Sequence, residues 1–255
     1  MNKTLRTLLV SALVLCGVIC AAAPRMVYVA RHGQVGDKNR RDAKINEPKL
    51  TVLGEEQARK LAGFLTDGCS FKGAVVVSPF YRTIQTALPV ADALGTVPIL
   101  DPGFQEIAPQ EKPTPRGMTL AEIEERFPRR TRPGSAYADN WRLCREDDRA
   151  RERRVAAALD RVLAEIPHGD VLIVSHAGTV NTLVRVLNAR RADGVKAVKN
   201  LPWNCSLFIF ELDAAGKVVK SRFTTEYLPD DRCTDNLRRT KTGKTSARKT
   251  RKAKP

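Results

Sequence analysis

The sequence predicts an α/β fold: a three-layer sandwich in which a mainly parallel sheet carries helices on both faces. Three observations predict it. Residues 26–30 (MVYVA), 74–77 (AVVV) and 171–174 (VLIV) are short runs with no charged position, as expected of strands buried on both sides. Stretches with apolar residues at helical spacing lie between them. Two further runs that read as antiparallel strands close the pattern near the C-terminal end. No internal repeat is present.

The elements follow in chain order. The first strand, 26–30, runs straight into Arg31, His32 and Gly33, and a loop is expected to about Lys49. Leu53, Ala58, Leu61, Ala62 and Leu65 then recur on one helical face, with Thr51 as N-cap. After the second strand, 74–77, Ser78-Pro79 reads as a helix start, serine at the N-cap and proline at the first helical position. Ile84, Ala87, Leu88, Ala91 and Leu94 give that helix its apolar face, and Pro89 is expected to kink it. Residues 98–115 are proline-rich and irregular. Thr119 and Glu122 have the spacing of a capping box opening a short helix. Residues 137–144 are read as helical. Val155, Ala158, Leu159, Val162, Leu163 and Ile166 mark a strong amphipathic helix. The third strand, 171–174, leads into Ser175, His176, Ala177 and Gly178, and Val180, Leu183, Val184 and Leu187 continue as a helix. Residues 206–212 and 218–224 read as an antiparallel hairpin turning near Ala214-Ala215-Gly216.

The chain has 255 residues, enough for one large domain with tails. Three parts are expected: a signal peptide over 1–23, a folded domain over 24–237 and a basic, disordered tail over 238–255. At the N-terminus, Lys3 and Arg6 precede an apolar run from Leu8 to Cys20, and Ala21, Ala22 and Ala23 follow. That is the layout of a secretory signal, and the run is too short to span a bilayer. Cleavage after Ala21, Ala22 or Ala23 and retention as an anchor all stay open. Removal of the signal leaves no transmembrane span, and the expected location is secreted or periplasmic. Outside this segment lie Cys69, Cys144, Cys205 and Cys233, a set that permits two disulfides or four free thiols. The formal net charge is +16, and residues 238–254 hold nine Lys or Arg and no acid. Such a block cannot bury apolar area. It reads either as a solvated extension or as an arm for an anionic surface, such as nucleic acid or an acidic envelope polymer; without interleaved aromatics it is not a base-stacking segment.

Chemistry gathers where the apolar strands end. The first leads into Arg31 and His32, the second leads to Arg82 and the third leads into His176. Ligands of open α/β sheets sit at the carboxyl ends of the strands, so these groups can share one pocket. Two arginines offer planar forks to phosphate oxygens. A neutral imidazole can attack phosphorus, and the phosphorylated ring can later be hydrolysed.

These residues resemble the histidine phosphatase superfamily, in its phosphoglycerate-mutase-like branch. The resemblance covers roughly residues 26–225. It rests on Arg31-His32-Gly33; on Leu50-Thr51 with Gly54, Gln57 and Ala58; on Ser78-Pro79, Arg82-Thr83 and Gln85-Thr86-Ala87; and on Ser175-His176-Ala177-Gly178. It implies that His32 is the nucleophile, that Arg31 and Arg82 hold the phosphoryl oxygens, and that His176 donates a hydrogen bond to them in the transition state. Glu106, in Phe104-Gln105-Glu106-Ile107, matches the general acid, with Glu111 as local competitor. Asn204, in Asn204-Cys205-Ser206, matches a segment that lines the pocket and is expected to bind substrate or to serve structurally. No metal and no cofactor are implied, because the arginines supply the positive charge.

The chain also departs from the family. After Gly33 it reads Gln-Val-Gly-Asp-Lys-Asn, where the mutases resembled have Ser or Thr and then a pair such as Trp-Asn; Asn39 is offset. Residues 37–49 are rich in Lys and Arg and can shape an entrance for an acidic substrate. The Arg-His-Gly-x-Arg-x-Pro and His-Asp signatures of the acid phosphatase branch are missing. His168 reads as a surface turn residue. The expected function is a secreted phosphomonoester phosphatase acting on a small phosphorylated substrate through a phosphohistidine. The alternatives are phosphoglycerate-mutase-like transfer and a non-catalytic anion-binding protein.

Overall fold

The computed structural model describes residues 24–36, 41–42, 47–107, 117–141 and 145–234. The signal segment, Asn39, Glu111, Cys144 and the basic tail lie outside the described residues.

The first strand, β1 (Arg25–Arg31), sits inside a seven-stranded sheet. Its neighbour on one side is β7 (Val171–Ser175), parallel; on the other it is β8 (Leu207–Leu212), antiparallel. The sheet continues from β7 through β4 (Ala74–Val77), β5 (Ile99–Leu100) and β6 (Arg132–Pro133), all parallel, and ends beyond β8 with antiparallel β9 (Val218–Thr224). A short hairpin, β2 (Arg41–Asp42) and β3 (Glu47–Pro48), stands apart from this sheet, within the stretch expected to be one loop.

Five helices of seven residues or more cover the sheet: α1 (Val52–Gly63), α2 (Tyr81–Leu94), α3 (Leu120–Arg126), α4 (Asp148–Glu165) and α5 (Ala177–Ala189). Successive strand side chains point to opposite faces, and the two faces carry separate cores. Tyr28, Ala30, Val75, Val77, Leu172 and Val174 pack with Leu61, Leu65, Ile84 and Leu88 of the α1–α2 side. Val27, Val29, Val76, Val171 and Ile173 pack with Val155, Leu159, Val180 and Leu183 of the α4–α5 side. This is the three-layer arrangement read from the apolar strands.

Local signals explain several boundaries. Thr51 Oγ1 accepts from the Gly54 amide at 2.9 Å, capping α1, and the Thr119–Glu122 capping box opens α3. A π-helical turn, Phe64–Gly68, extends α1. The second helix departs from expectation. Ser78 is not its N-cap: its amide still pairs with the Val174 carbonyl of β7, and its hydroxyl turns to His176. Phe80 is extended, and α2 opens only at Tyr81. It then runs through Pro89 to a left-handed Gly95. Residues 137–141 form turns instead of a helix, with the Tyr137 hydroxyl and the Trp141 indole both donating to the Met118 carbonyl. Cys69, Cys205 and Cys233 are free thiols, so among the described residues the free-thiol alternative holds. No described helix is long and apolar enough to cross a membrane.

Candidate active site

Strands β4, β7 and β1 lie side by side and parallel, so their carboxyl ends open on one place. Pairing of Arg31 with Ser175 and of Val77 with Val174 brings the three motif-bearing ends level. The His32 amide extends this register by donating to the Ser175 carbonyl at 2.9 Å.

The loop after β1 is held on every side. Gly33 donates to Thr86 Oγ1 at 3.0 Å, and that hydroxyl donates to the Arg82 carbonyl at 2.7 Å. The Gln34 amide donates to Gln57 Oε1 at 2.8 Å. Backbone meets backbone between this loop and the start of α1: a Cβ on Gly54 would fall 2.1 Å from the Gln34 carbonyl oxygen, and one on Gly33 would fall 2.6 Å from that of Gly54. Only glycine permits that approach. The motif residues Gly54, Gln57 and Thr86 therefore set the position of His32.

His32 and His176 are both buried, their ring centroids 5.5 Å apart. His32 Nδ1 lies 2.7 Å from the Gly33 carbonyl. A carbonyl only accepts, so Nδ1 carries the hydrogen and Nε2 keeps its lone pair. His176 Nδ1 accepts from Arg82 Nη2 at 2.9 Å, and Nε2 donates to Ser78 Oγ at 2.9 Å. Burial holds the basicity of both rings well below the ordinary histidine value. The Arg82 guanidinium, and then Arg31, lowers that of His32 further; Arg82, His32, Arg31 and Arg154 do the same for His176. Both imidazoles are thus neutral at neutral pH.

Arg31 donates through Nη1 to the Pro202 carbonyl at 2.8 Å. Arg82 has its guanidinium carbon 4.7 Å from the Phe80 ring centroid, and Phe80 also meets His176 edge-on at 4.9 Å. Glu106 completes the cluster. Its Oε2 is 3.9 Å from Arg82 Nη2 and 3.7 Å from His176 Nδ1, while Oε1 accepts from the Ile107 amide at 2.9 Å. The segment carrying it is anchored from the β7–α5 junction, where Ser175 Oγ donates to the Phe104 carbonyl at 2.8 Å and Thr179 Oγ1 to that of Gln105 at 2.5 Å. Gly178 leaves room for it, since a Cβ there would lie 2.2 Å from Ile107 Cδ1.

Asn204 is fully buried at the edge of this cluster. Its described hydrogen bonds go to the chain: Nδ2 donates to the His32 carbonyl at 3.0 Å, and Oδ1 accepts from Thr234 Oγ1 at 3.1 Å. These contacts support the loop that carries His32, the structural one of the two roles expected for Asn204. His168 is exposed in a bend, as read from the sequence. Among the described residues, no group of three or more His, Cys, Asp or Glu could hold a metal ion. Ser78, Phe80, Ser175 and Thr179 carry contacts that sequence reasoning did not assign. The one available signal was polarity at the end of an apolar strand or on the buried face of a helix.

The protein is thus an α/β protein in which two histidines, two arginines and a carboxylate meet at the carboxyl ends of neighbouring parallel strands. Residues 27–225 match the model of the histidine phosphatase superfamily (branch 1), and the chain belongs to that family. Membership sets its chemistry as phosphatase or mutase-like. The chain is similar to the probable phosphoglycerate mutase GpmB of Yersinia enterocolitica, at 29% identity over 222 residues, 84% of this chain and 99% of the relative. In fold it is similar to the ecdysone phosphate phosphatase of Bombyx mori, solved with tungstate (TM-score 0.58, 19% identity, 80% of this chain and 93% of the other). It is also similar in fold to a mycobacterial glucosyl-3-phosphoglycerate phosphatase solved with VO3 (TM-score 0.52, 20% identity, 79% and 98%).

Proposed function

We propose that this protein is an exported phosphomonoester phosphatase that works through a phosphohistidine at His32. The contact between His32 Nδ1 and the Gly33 carbonyl carries the reading, because it leaves Nε2 with a free lone pair while Arg31 and Arg82 stand by as anion partners. Nε2 attacks phosphorus and the bond to the ester oxygen breaks. Glu106 gives that oxygen its proton, so the product leaves as an alcohol. Water then attacks the phosphorylated ring and loses a proton to Glu106, and inorganic phosphate departs with His32 neutral again. Arg31 and Arg82 spread the charge of the phosphoryl group in transfer. His176 stays neutral and joins them as a donor when its Nε2–H turns from Ser78 Oγ to a phosphoryl oxygen. Export rests on the positive start, apolar run and alanine cluster of residues 1–23.

Release of inorganic phosphate from a panel of sugar phosphates, phosphoglycerates and aryl phosphates, compared with the His32→Ala variant, tests this reading. Release that disappears in the variant supports it, and release that persists would sink it. The mutase reading is favoured by the full-length similarity to proteins named as phosphoglycerate mutases. It predicts interconversion of phosphoglycerates with little free phosphate.

A further inference from the structure

Beyond the family-matched residues 27–225, the chain continues through a 3₁₀ turn, Asp230–Arg232, to Cys233 and Thr234. This short segment is fastened to α1. Gln57 Nε2 donates to the Arg232 carbonyl at 2.6 Å, and Arg232 Nε pairs with Glu56 Oε2 at 3.4 Å. The Thr234 carbonyl accepts from the Asn204 amide at 2.8 Å.

The side chains close a circuit around the nucleophile. It starts at the Gln34 amide, which donates to Gln57 Oε1. Gln57 Nε2 donates to Thr234 Oγ1 at 2.9 Å. Thr234 Oγ1 donates to Asn204 Oδ1, and Asn204 Nδ2 donates to the His32 carbonyl. The two ends of the circuit are the two ends of the tripeptide His32-Gly33-Gln34. Its donor and acceptor directions are all fixed. Gln57 must present its oxygen to one backbone amide, and Asn204 must present its nitrogen to one backbone carbonyl. Between them, one atom has to accept on one side and donate on the other, which a hydroxyl does and a methyl cannot. Gln57 and Asn204 are both fully buried, so water does not readily take the place of a lost partner.

We propose that Thr234 is a positioning residue for the nucleophile, acting through Gln57 and Asn204 on the two ends of the His32 loop. The catalytic consequence rests on the phosphatase reading above; the structural consequence does not. Thr234→Val keeps the shape and removes the hydroxyl, whereas Thr234→Ser keeps the hydroxyl. Two quantities are measured on the full chain: kcat and KM on a phosphomonoester that the wild type hydrolyses, and amide hydrogen exchange across residues 31–36. In Thr234→Val, kcat falls roughly tenfold with KM nearly unchanged, because the attacking ring is misplaced while the anion partners stay. Exchange of the Gln34 amide quickens while the rest of the sheet keeps its protection, and Thr234→Ser restores both. Unchanged exchange at 31–36 in Thr234→Val overturns the proposal whatever the activity. Exchange that quickens equally throughout the chain also overturns it, since Thr234 would then be a general stability residue. A wild type that releases no phosphate, with local exchange that still responds, refutes the phosphatase reading and leaves the positioning role standing.

Discussion

Arg82 Nη2 donates to His176 Nδ1 across 2.9 Å, and the same nitrogen stands 3.9 Å from Glu106 Oε2. One guanidinium thus touches the second histidine and the carboxylate, with its central carbon over the Phe80 ring. A lysine at this place would keep the charge but lose the planar fork that reaches two partners at once. Arg82→Lys is expected to lower kcat/KM about a hundredfold, which corresponds to about 3 kcal/mol of transition-state stabilisation. Steady-state kinetics with a tolerated substrate checks this. A loss below threefold would mean that charge alone suffices and that the bridging geometry is incidental.

Glu106 lies beside both Arg82 and His176, and in the proposed reaction it moves protons to and from oxygen. Alkyl leaving groups need a proton as the phosphorus–oxygen bond breaks; nitrophenyl leaving groups do not. Glu106→Gln is therefore expected to cut kcat on alkyl phosphates about a hundredfold or more and on nitrophenyl phosphate less than about tenfold. Equal losses on both substrates would remove Glu106 from the acid role.

The pattern of strands and helices was legible because burial on both sheet faces leaves runs such as AVVV and VLIV with no polar position to misplace. The meeting of Arg31, His32, Arg82 and His176 was legible for a related reason: they stand at or soon after the places where those runs stop. Ser78 was misread because Ser-Pro before an apolar helix has the local form of a cap. The competing partner, His176, lies 98 residues away along the chain. Residues 137–141 were misread because Tyr137 and Trp141 have helical spacing, yet both spend their polar atoms on Met118. Thr234 was not legible at all. A single threonine past the last strand has no periodicity, and its importance exists only through Gln57 and Asn204.

Gly54 offers a test of how tightly the His32 loop is held. A Cβ there would meet the Gln34 carbonyl oxygen at 2.1 Å, backbone that cannot step aside without moving the loop. Gly54→Ala is expected to cost about 1–3 kcal/mol of stability and to lower kcat at least about tenfold. Gly63, in the same helix, is the control. The nearest atom to a Cβ there is Asp67 Oδ2 at 4.0 Å, so Gly63→Ala should leave kcat unchanged and add up to about 1 kcal/mol through helix propensity. Denaturant titrations and kinetics on both variants decide the matter. A fully active Gly54→Ala would show that the loop tolerates displacement.

The two buried histidines also predict how stability depends on pH. Burial and the neighbouring arginines hold both rings well below the ordinary value near 6.5, whereas in the unfolded chain they titrate close to it. Between the folded and unfolded values the unfolded state binds more protons, so stability rises with pH in that window. The stability is fully present above about pH 6.5 and is lost as the pH falls toward the folded values. Each histidine contributes a slope of up to about 1.4 kcal/mol per pH unit. Urea unfolding at pH 7.5, 6.5 and 5.5 measures this, and ordinary carboxylates titrate mostly below that range. His176→Gln, which cannot take up the proton, should reduce the loss between pH 6.5 and 5.5 by about one histidine's share. An identical pH dependence in wild type and variant would show that the folded protein protonates His176 as readily as the open chain does. In that case the neutral acceptor geometry toward Arg82 would not hold in solution.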